Sequence, residues 1–250
     1  TQNRVATGLA VAGAEGDSAS FTIAQRIRSN IGGLQAVTES LDRASATLDV
    51  ALNAAETISD LLVEGRELAT AASDQGLTTA DREALADDFN SLLTQVTNTA
   101  NSADFNGLNL VDGNGDNLRA LTSLSGGAGT TIDFDNTDLT TASGGLNITS
   151  LSSSGTTASE AQTAIGAISG ALATVNSNLA DLGAAARQVD LQNQFVNSLQ
   201  DTLDVGVGNL VDANLAEESA NLTALQTQQQ LGLSALAIAN QQPQTILSLF

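Results

Sequence analysis

The oxygen-bearing side chains of DGNGDN, at 112–117, have the spacing that could ligate a hard cation. A calcium loop presents alternate side chains to its ion, as Asp112, Asn114 and Asp116 could. That loop also requires glycine at its sixth position and glutamate at its twelfth, where this chain has Asn117 and Ser123. The segment therefore reads as a hairpin turn whose glycines supply positive φ. Two carboxylate pairs, Asp87 with Asp88 and Glu217 with Glu218, have the residue type for general acid–base work. Neighbours on a helix point different ways, so these read as solvated faces or partners of a helix N-terminal dipole rather than a glycosidase pair. Asn147-Ile148-Thr149 and Asn221-Leu222-Thr223 match the N-glycosylation acceptor pattern, which is frequent by chance. The Ser/Thr density of 122–159 reads as polar loop surface, with O-linked modification as the alternative.

Composition removes most other chemistry. His, Cys, Met, Trp and Tyr are absent, and all eight basic residues are arginines. The usual general bases, Schiff-base nucleophile, thiolate ligands and imidazole ligands of zinc are therefore missing. No catalytic residue, cofactor or metal is expected. With 28 acids the formal charge is −20, which repels nucleic acid and anionic lipid. No apolar run approaches the roughly 20 residues of a membrane span, and no signal peptide opens the chain. Partners of both kinds are thus excluded. The sequence starts at Thr1 and is read as a fragment or a processed chain.

The elements that must position any site are helical. From Ser18 to Ala72 one apolar row runs Ile27, Leu34, Leu41, Leu48, Ala55, Leu62, Ala69 and another Val37, Ala44, Ala51, Ile58, Gly65, Ala72. This heptad pattern predicts a single helix about 80 Å long. Near Gly76 the pattern breaks. A second helix, with Thr79 as its expected cap, follows to about Ala103 through Leu85, Phe89, Leu92 and Val96. A short connection makes the two antiparallel. Between Asp104 and Thr157 the residues suited to turns dominate, and 108–111, 131–134 and 146–151 read as short strands. Helical periodicity resumes at Ser159, with Ile168, Val175, Leu182, Val189, Val196 and Leu203 as one row and Ile165, Leu172, Leu179 and Ala186 as its partner. Asn193 is the polar residue expected to fix register in that seam. After VGVGNL another helix is expected from near Val211, and its partner row is missing from the chain.

The fold class is therefore mainly α, a long antiparallel coiled-coil-like rod with a small β-hairpin insertion. Its expected parts are an N-terminal remnant and spoke (1–17), two rod helices (18–103), a β-rich variable insertion (104–157), a long return helix (158–206) and a terminal helix and tail (207–250).

The stretches TQNRVATGLAVAGAEGDSASFTIAQRIRS, FNGLNLVDG and NLVDANLAEESANLTALQTQQQLGLSALAIANQQPQTILSLF resemble bacterial flagellin in its short alphaproteobacterial form. The resemblance implies a structural subunit that polymerises with itself into a secreted, extracellular flagellar filament, smooth and thin. It implies no enzyme, and export without a cleaved signal, aided by an export chaperone and by cap and junction proteins. It places the polymerisation interface on Leu215, Leu222, Leu225, Leu231, Leu236, Ile238, Ile246, Leu247 and Phe250. The family also carries an N-terminal partner segment before the position of Thr1. Arg66, Glu67 and Leu68 match the surface read by an innate immune receptor; Glu64 stands where strongly recognised members are basic, so weak recognition is implied. The alternatives are a hook-filament junction protein built on the same terminal helices, or a cell-surface carbohydrate-binding homologue. The latter has only Phe134 as an aromatic platform in its insertion. A metalloprotease-like insertion would need two His, which the chain lacks.

Overall fold

The computed structural model describes residues 1–124 and 130–247, with 238–247 as helix backbone alone. Its elements are α1 (Gln2–Thr7), α2 (Ser18–Ala72), α3 (Thr79–Ser102), β1 (Asp104–Phe105), β2 (Leu108–Asn109), β3 (Leu118–Leu121), β4 (Thr131–Phe134), α4 (Ala158–Val211) and α5 (Leu215–Leu247). They form two compact units, one of 33–198 and one of 1–32 with 199–250. The class is mainly α, and among the described residues the strands are confined to two small antiparallel pairs.

In the unit of 33–198 the heptad rows of α2 are buried at every position from Leu34 to Ala72. α3 lies antiparallel to α2, because Arg82 reaches Ala72 while Phe89 lies against Gly65. Its buried row is Arg82, Ala86, Phe89, Leu93, Val96 and Ala100. That row sets Leu85 and the expected Leu92 on the flank, half-buried. Thr78, not Thr79, caps α3. Its hydroxyl accepts from the Asp81 amide and donates to the Asp81 carboxylate, which satisfies an otherwise orphan donor. α4 returns antiparallel to α2, with Asn193 Nδ2 donating to Asp42 Oδ1 at 2.6 Å and Ile168 near Gly65. The row from Ile168 to Val196 is buried as its spacing requires. Its companion is Ala164, Ala171, Asn178 and Ala185, whereas Ile165, Leu172, Leu179 and Ala186 are half-buried. Small residues let the helices approach, so the larger ones sit beside the seam. The buried polar residue in that seam is Asn178, and Asn193 is half-buried.

The insertion departs from the strands expected of it. Asn106 and Gly107, both at positive φ, turn β1 into β2 with Phe105 opposite Leu108. This is the Asn-Gly turn whose twist suits a two-residue hairpin. DGNGDN instead carries the chain from that hairpin to β3, so its positive-φ glycines, Gly113 and Gly115, serve a connection and not a hairpin turn. β3 pairs with β4 from Leu118↔Phe134 to Leu121↔Thr131. The stretch 146–151 is not a strand. Asn147 has φ 51, the Asn90 side chain takes both the N–H and C=O of Leu151, and Leu146, Ile148 and Leu151 are buried in irregular chain.

In the unit of 1–32 and 199–250, α1 ends at Gly8 in the left-handed region. Leu9 then bridges to Asp212, with Ala10 N–H donating to Val211 C=O and Ala213 N–H to Gly8 C=O. Leu9, Val11, Ile27 and Ile31 pack on Ala24, Val207 and Val211. That cluster explains why α4 continues through Gly206 and Gly208, past the break expected at 206. Glycine costs a helix about 1 kcal/mol, and burial of Val207 and Val211 offsets it. Asp17 caps α2 by accepting from the amides of Ala19 and Ser20. The hydroxyl and amide of Ser20 hold its carboxyl below the ordinary value.

Candidate functional site

α5 begins at a side-chain cap. Asn214 Oδ1 accepts from the amides of Ala216 and Glu217, and Glu217 and Glu218 occupy the first turn, where the helix dipole favours negative charge. Glu218 Oε1 meets Arg4 Nη1 at 3.0 Å, so α1 is tied to the start of α5. The carboxylate pair at 217–218 is thus split between a dipole partner and an ion pair. Asp87 and Asp88 are both exposed on α3.

Beyond that ion pair, the apolar side chains of α5 reach solvent. Leu215 is 50% exposed, Leu225 52%, and Leu231, Leu233 and Leu236 64–65%, while Leu222 is half-buried. At about 100° per residue, Leu215, Leu222, Leu225, Leu233 and Leu236 fall within about 80° of one another. Leu231 falls on the opposite side. The expected set therefore divides between two sides of the helix, and Leu233 joins the larger face; its spacing of eight from Leu225 and three from Leu236 was the available signal. The side chains of Ile238, Ile246 and Leu247, and the whole of Phe250, lie outside the described residues. Exposed leucine on this scale signals a partner surface.

On α2, Arg66 and Glu67 are exposed and Leu68 is half-buried. A groove beside them is lined by Arg66, Glu67, Thr70, Asp74, Leu77 and Leu85. Arg82, which the sequence reading passed over, fixes this end of α2. It is buried, and its guanidinium donates to the C=O of Ala72, which the end of α2 would otherwise leave unpaired, and to the C=O of Asp74, which also accepts from Leu77 N–H.

In the insertion, Asp112 Oδ1 accepts from Asn114 N–H and Asn136 Nδ2, each at 3.0 Å, and Oδ2 accepts from Asn114 Nδ2. Burial acts to raise its pKa, but the bonds from Asn136 and Asn114 outweigh it and hold the carboxyl below its ordinary value. The Asp112 oxygens are occupied by turn-forming bonds. Among the described residues no group of three or more His, Cys, Asp or Glu is placed to hold a metal. No helix there is long and apolar enough to cross a membrane. Of the acceptor asparagines, Asn147 is exposed in the insertion and Asn221 is exposed on α5.

Heptad-seamed long helices, a small hairpin insertion and a terminal helix that exposes leucines define a class of long-helix proteins. The bacterial flagellin N-terminal helical region matches residues 1–116, and the flagellin C-terminal helical region matches 165–250. Flagellin FljM of Caulobacter vibrioides is 47% identical over all of this chain and 89% of its own length. A flagellin of Brucella melitensis is 33% identical over all of this chain and 90% of its own. The crystal structure of Bacillus cereus flagellin superposes with a TM-score of 0.54 at 21% identity, covering 63% of this chain and 88% of that one. A putative flagellar hook-associated protein from Vibrio parahaemolyticus superposes with a TM-score of 0.65 at 15% identity, covering 79% of this chain and all of that one, a likeness of fold. The chain belongs to the bacterial flagellin family. It is a structural subunit of the flagellar filament, and its principal partner is itself.

Proposed function

We propose that the leucine face of α5 is the surface through which this subunit polymerises. The observation that carries this reading is the exposure of Leu215, Leu225, Leu233 and Leu236 on one side of a helix, with Leu231 across from them. Such leucines gain about 25 cal/mol per Å² when a second chain covers them, and the gain repeats at every subunit. The parts of the chain divide accordingly: 18–103 and 158–206 support the shell, 104–157 is the variable surface, and 1–17 with 207–250 belongs to the inner layer. The filament is secreted and extracellular, and export draws on a chaperone, with cap and junction proteins completing the assembly.

The test is a chain carrying Leu222→Asp and Leu236→Asp. Both positions lie outside the unit of 33–198, so far-UV circular dichroism should keep most of its helical signal while electron microscopy shows no filaments. Intact filaments from this variant would move the interface elsewhere.

The exposed Arg66 and Glu67, with half-buried Leu68, form a surface that an innate immune receptor reads weakly, because the exposed Glu64 places a carboxylate beside it. A cell reporter should stay near background at doses at which strongly recognised flagellins saturate it. A full response at those doses would overturn this.

A further inference from the structure

A polymer of chains that each carry −20 must place its few cations where they count. Among the described residues the ion pairs are Arg4 with Glu218 and Arg119 with Asp133, and Arg82 is spent on backbone carbonyls. Arg43, exposed on α2, is in neither ion pair. It borders a groove of about 330 Å³ whose walls include Thr47 of α2, Phe105 and Asn106 of the first hairpin, and Leu118 and Arg119 of β3. No carboxylate lines this groove, although acids outnumber arginines 28 to 8 in the chain. The groove beside Arg66, by contrast, is lined also by Glu67 and Asp74. Ser40, Thr47, Asn106 and Asn117 make the groove largely polar, and the Arg119 Nε is already bonded to Asp133. The Arg43 guanidinium and the remaining N–H groups of Arg119 are therefore the donors that suit a further carboxylate, which arginine binds through two parallel N–H donors.

The complement lies on the same helix. Glu56, Asp60 and Glu64 are exposed at intervals of four, an arrangement that disfavours a helix through like-charge repulsion. None of the three forms an ion pair among the described residues. Asp60 stands about 25 Å along α2 from Arg43 and about 100° around it, so one copy cannot join the two. Two copies can. A groove on one and an edge on the next make a heterologous contact, which leaves a free groove and a free edge at the ends and therefore extends into an open polymer.

We propose that the Arg43–Arg119 groove of one subunit receives the Glu56–Asp60–Glu64 edge of a second copy of this chain. The inference rests on the filament reading and adds to it a second contact, separate from α5. Arg43 sets the axial offset between neighbours, and the acidic edge supplies the sign that selects it.

The experiment is a charge swap in the full-length protein, supplied to cells as their sole flagellin. Arg43→Glu and Asp60→Arg are made singly and together, and filament mass is compared with monomer shed into the medium. Each single variant should raise the monomer left beside filaments by about tenfold, and the double variant should recover most of that loss because the attraction returns with its signs exchanged. Asp60→Arg makes the chain less negative, so general repulsion alone would have it polymerise better than the parent; the groove contact requires it to polymerise worse. Arg43→Lys keeps the charge and should assemble, and circular dichroism of shed monomer checks that each variant is folded. Single variants that polymerise as the parent does, or a folded double variant no better than the poorer single, would overturn the groove contact while leaving the filament reading in place. A parent chain that forms no filaments would remove that reading, and the groove contact with it.

Discussion

Gly65 and Gly113 show how two glycines of one chain carry opposite consequences. Gly65 is buried in the α2 seam, and a Cβ added there would meet the Phe89 ring at 3.6 Å and Ile168 at 3.9 Å, ordinary contact distances. Nothing must move. Gly65→Ala should therefore stabilise the protein by about 0.5–1 kcal/mol, through higher helix propensity and a less free unfolded chain. A urea titration reads this as a higher midpoint at unchanged slope; a lower midpoint would mean that the Phe89 ring cannot share the seam. Gly113 is the reverse case. Its φ is +75, and a Cβ would lie 2.6 Å from that of Asp138, so any side chain there is strained and also displaces a neighbour. Glycine identity alone distinguishes neither case, since one is set by the packing of α3 and α4 on α2 and the other by the turn that Asp112 organises.

At the scale of elements, what could be read in advance followed the size of the side chains. Both α2 rows were legible because Leu34, Leu41, Leu48, Ile58 and Leu62 mark a core that their own helix defines. On α4 only the row of large residues was legible. Its companion is built of Ala164, Ala171, Asn178 and Ala185, and alanine is equally at home in a seam or on a surface. The larger Ile165 and Leu172 drew the pattern to the wrong column. The end of α4 was misplaced for a related reason. Gly206 and Gly208 signal a break locally, but Val207 and Val211 bury against Ala24, a contact between segments far apart in sequence that no local pattern reports. The same limit hid α1, whose hold on the chain is the Arg4–Glu218 pair and the bridge from Leu9 to Asp212. On α5 the leucines were legible as a surface, but their split into a broad face and a lone Leu231 needs the helix to run unbroken from Leu215. The groove at Arg43 was not legible, because its walls come from α2, the first hairpin and β3.

For the whole molecule, the apolar contact of α5 and the ionic contact at Arg43 respond differently to salt, and their balance is measurable. Each copy brings a formal charge of −20 to its neighbours. The Debye length falls from about 30 Å at 0.01 M to about 8 Å at 0.15 M, so over that range repulsion between exposed carboxylates on adjoining copies is largely removed. Burial of the α5 leucines is almost indifferent to this change. A carboxylate seated between Arg43 and Arg119 is partly withdrawn from solvent and is screened less than the exposed acids. Repulsion involves most of the 28 acids, whereas the groove uses a few, so the repulsive contribution should govern. The concentration of free monomer at equilibrium with filaments should therefore fall as NaCl is raised from 0.01 to 0.15 M. Sedimentation of filaments from a fixed total of the full-length protein gives that concentration directly. If free monomer instead rises with salt, ion pairs between copies outweigh their net repulsion, and the Arg43→Glu chain should then lose the dependence.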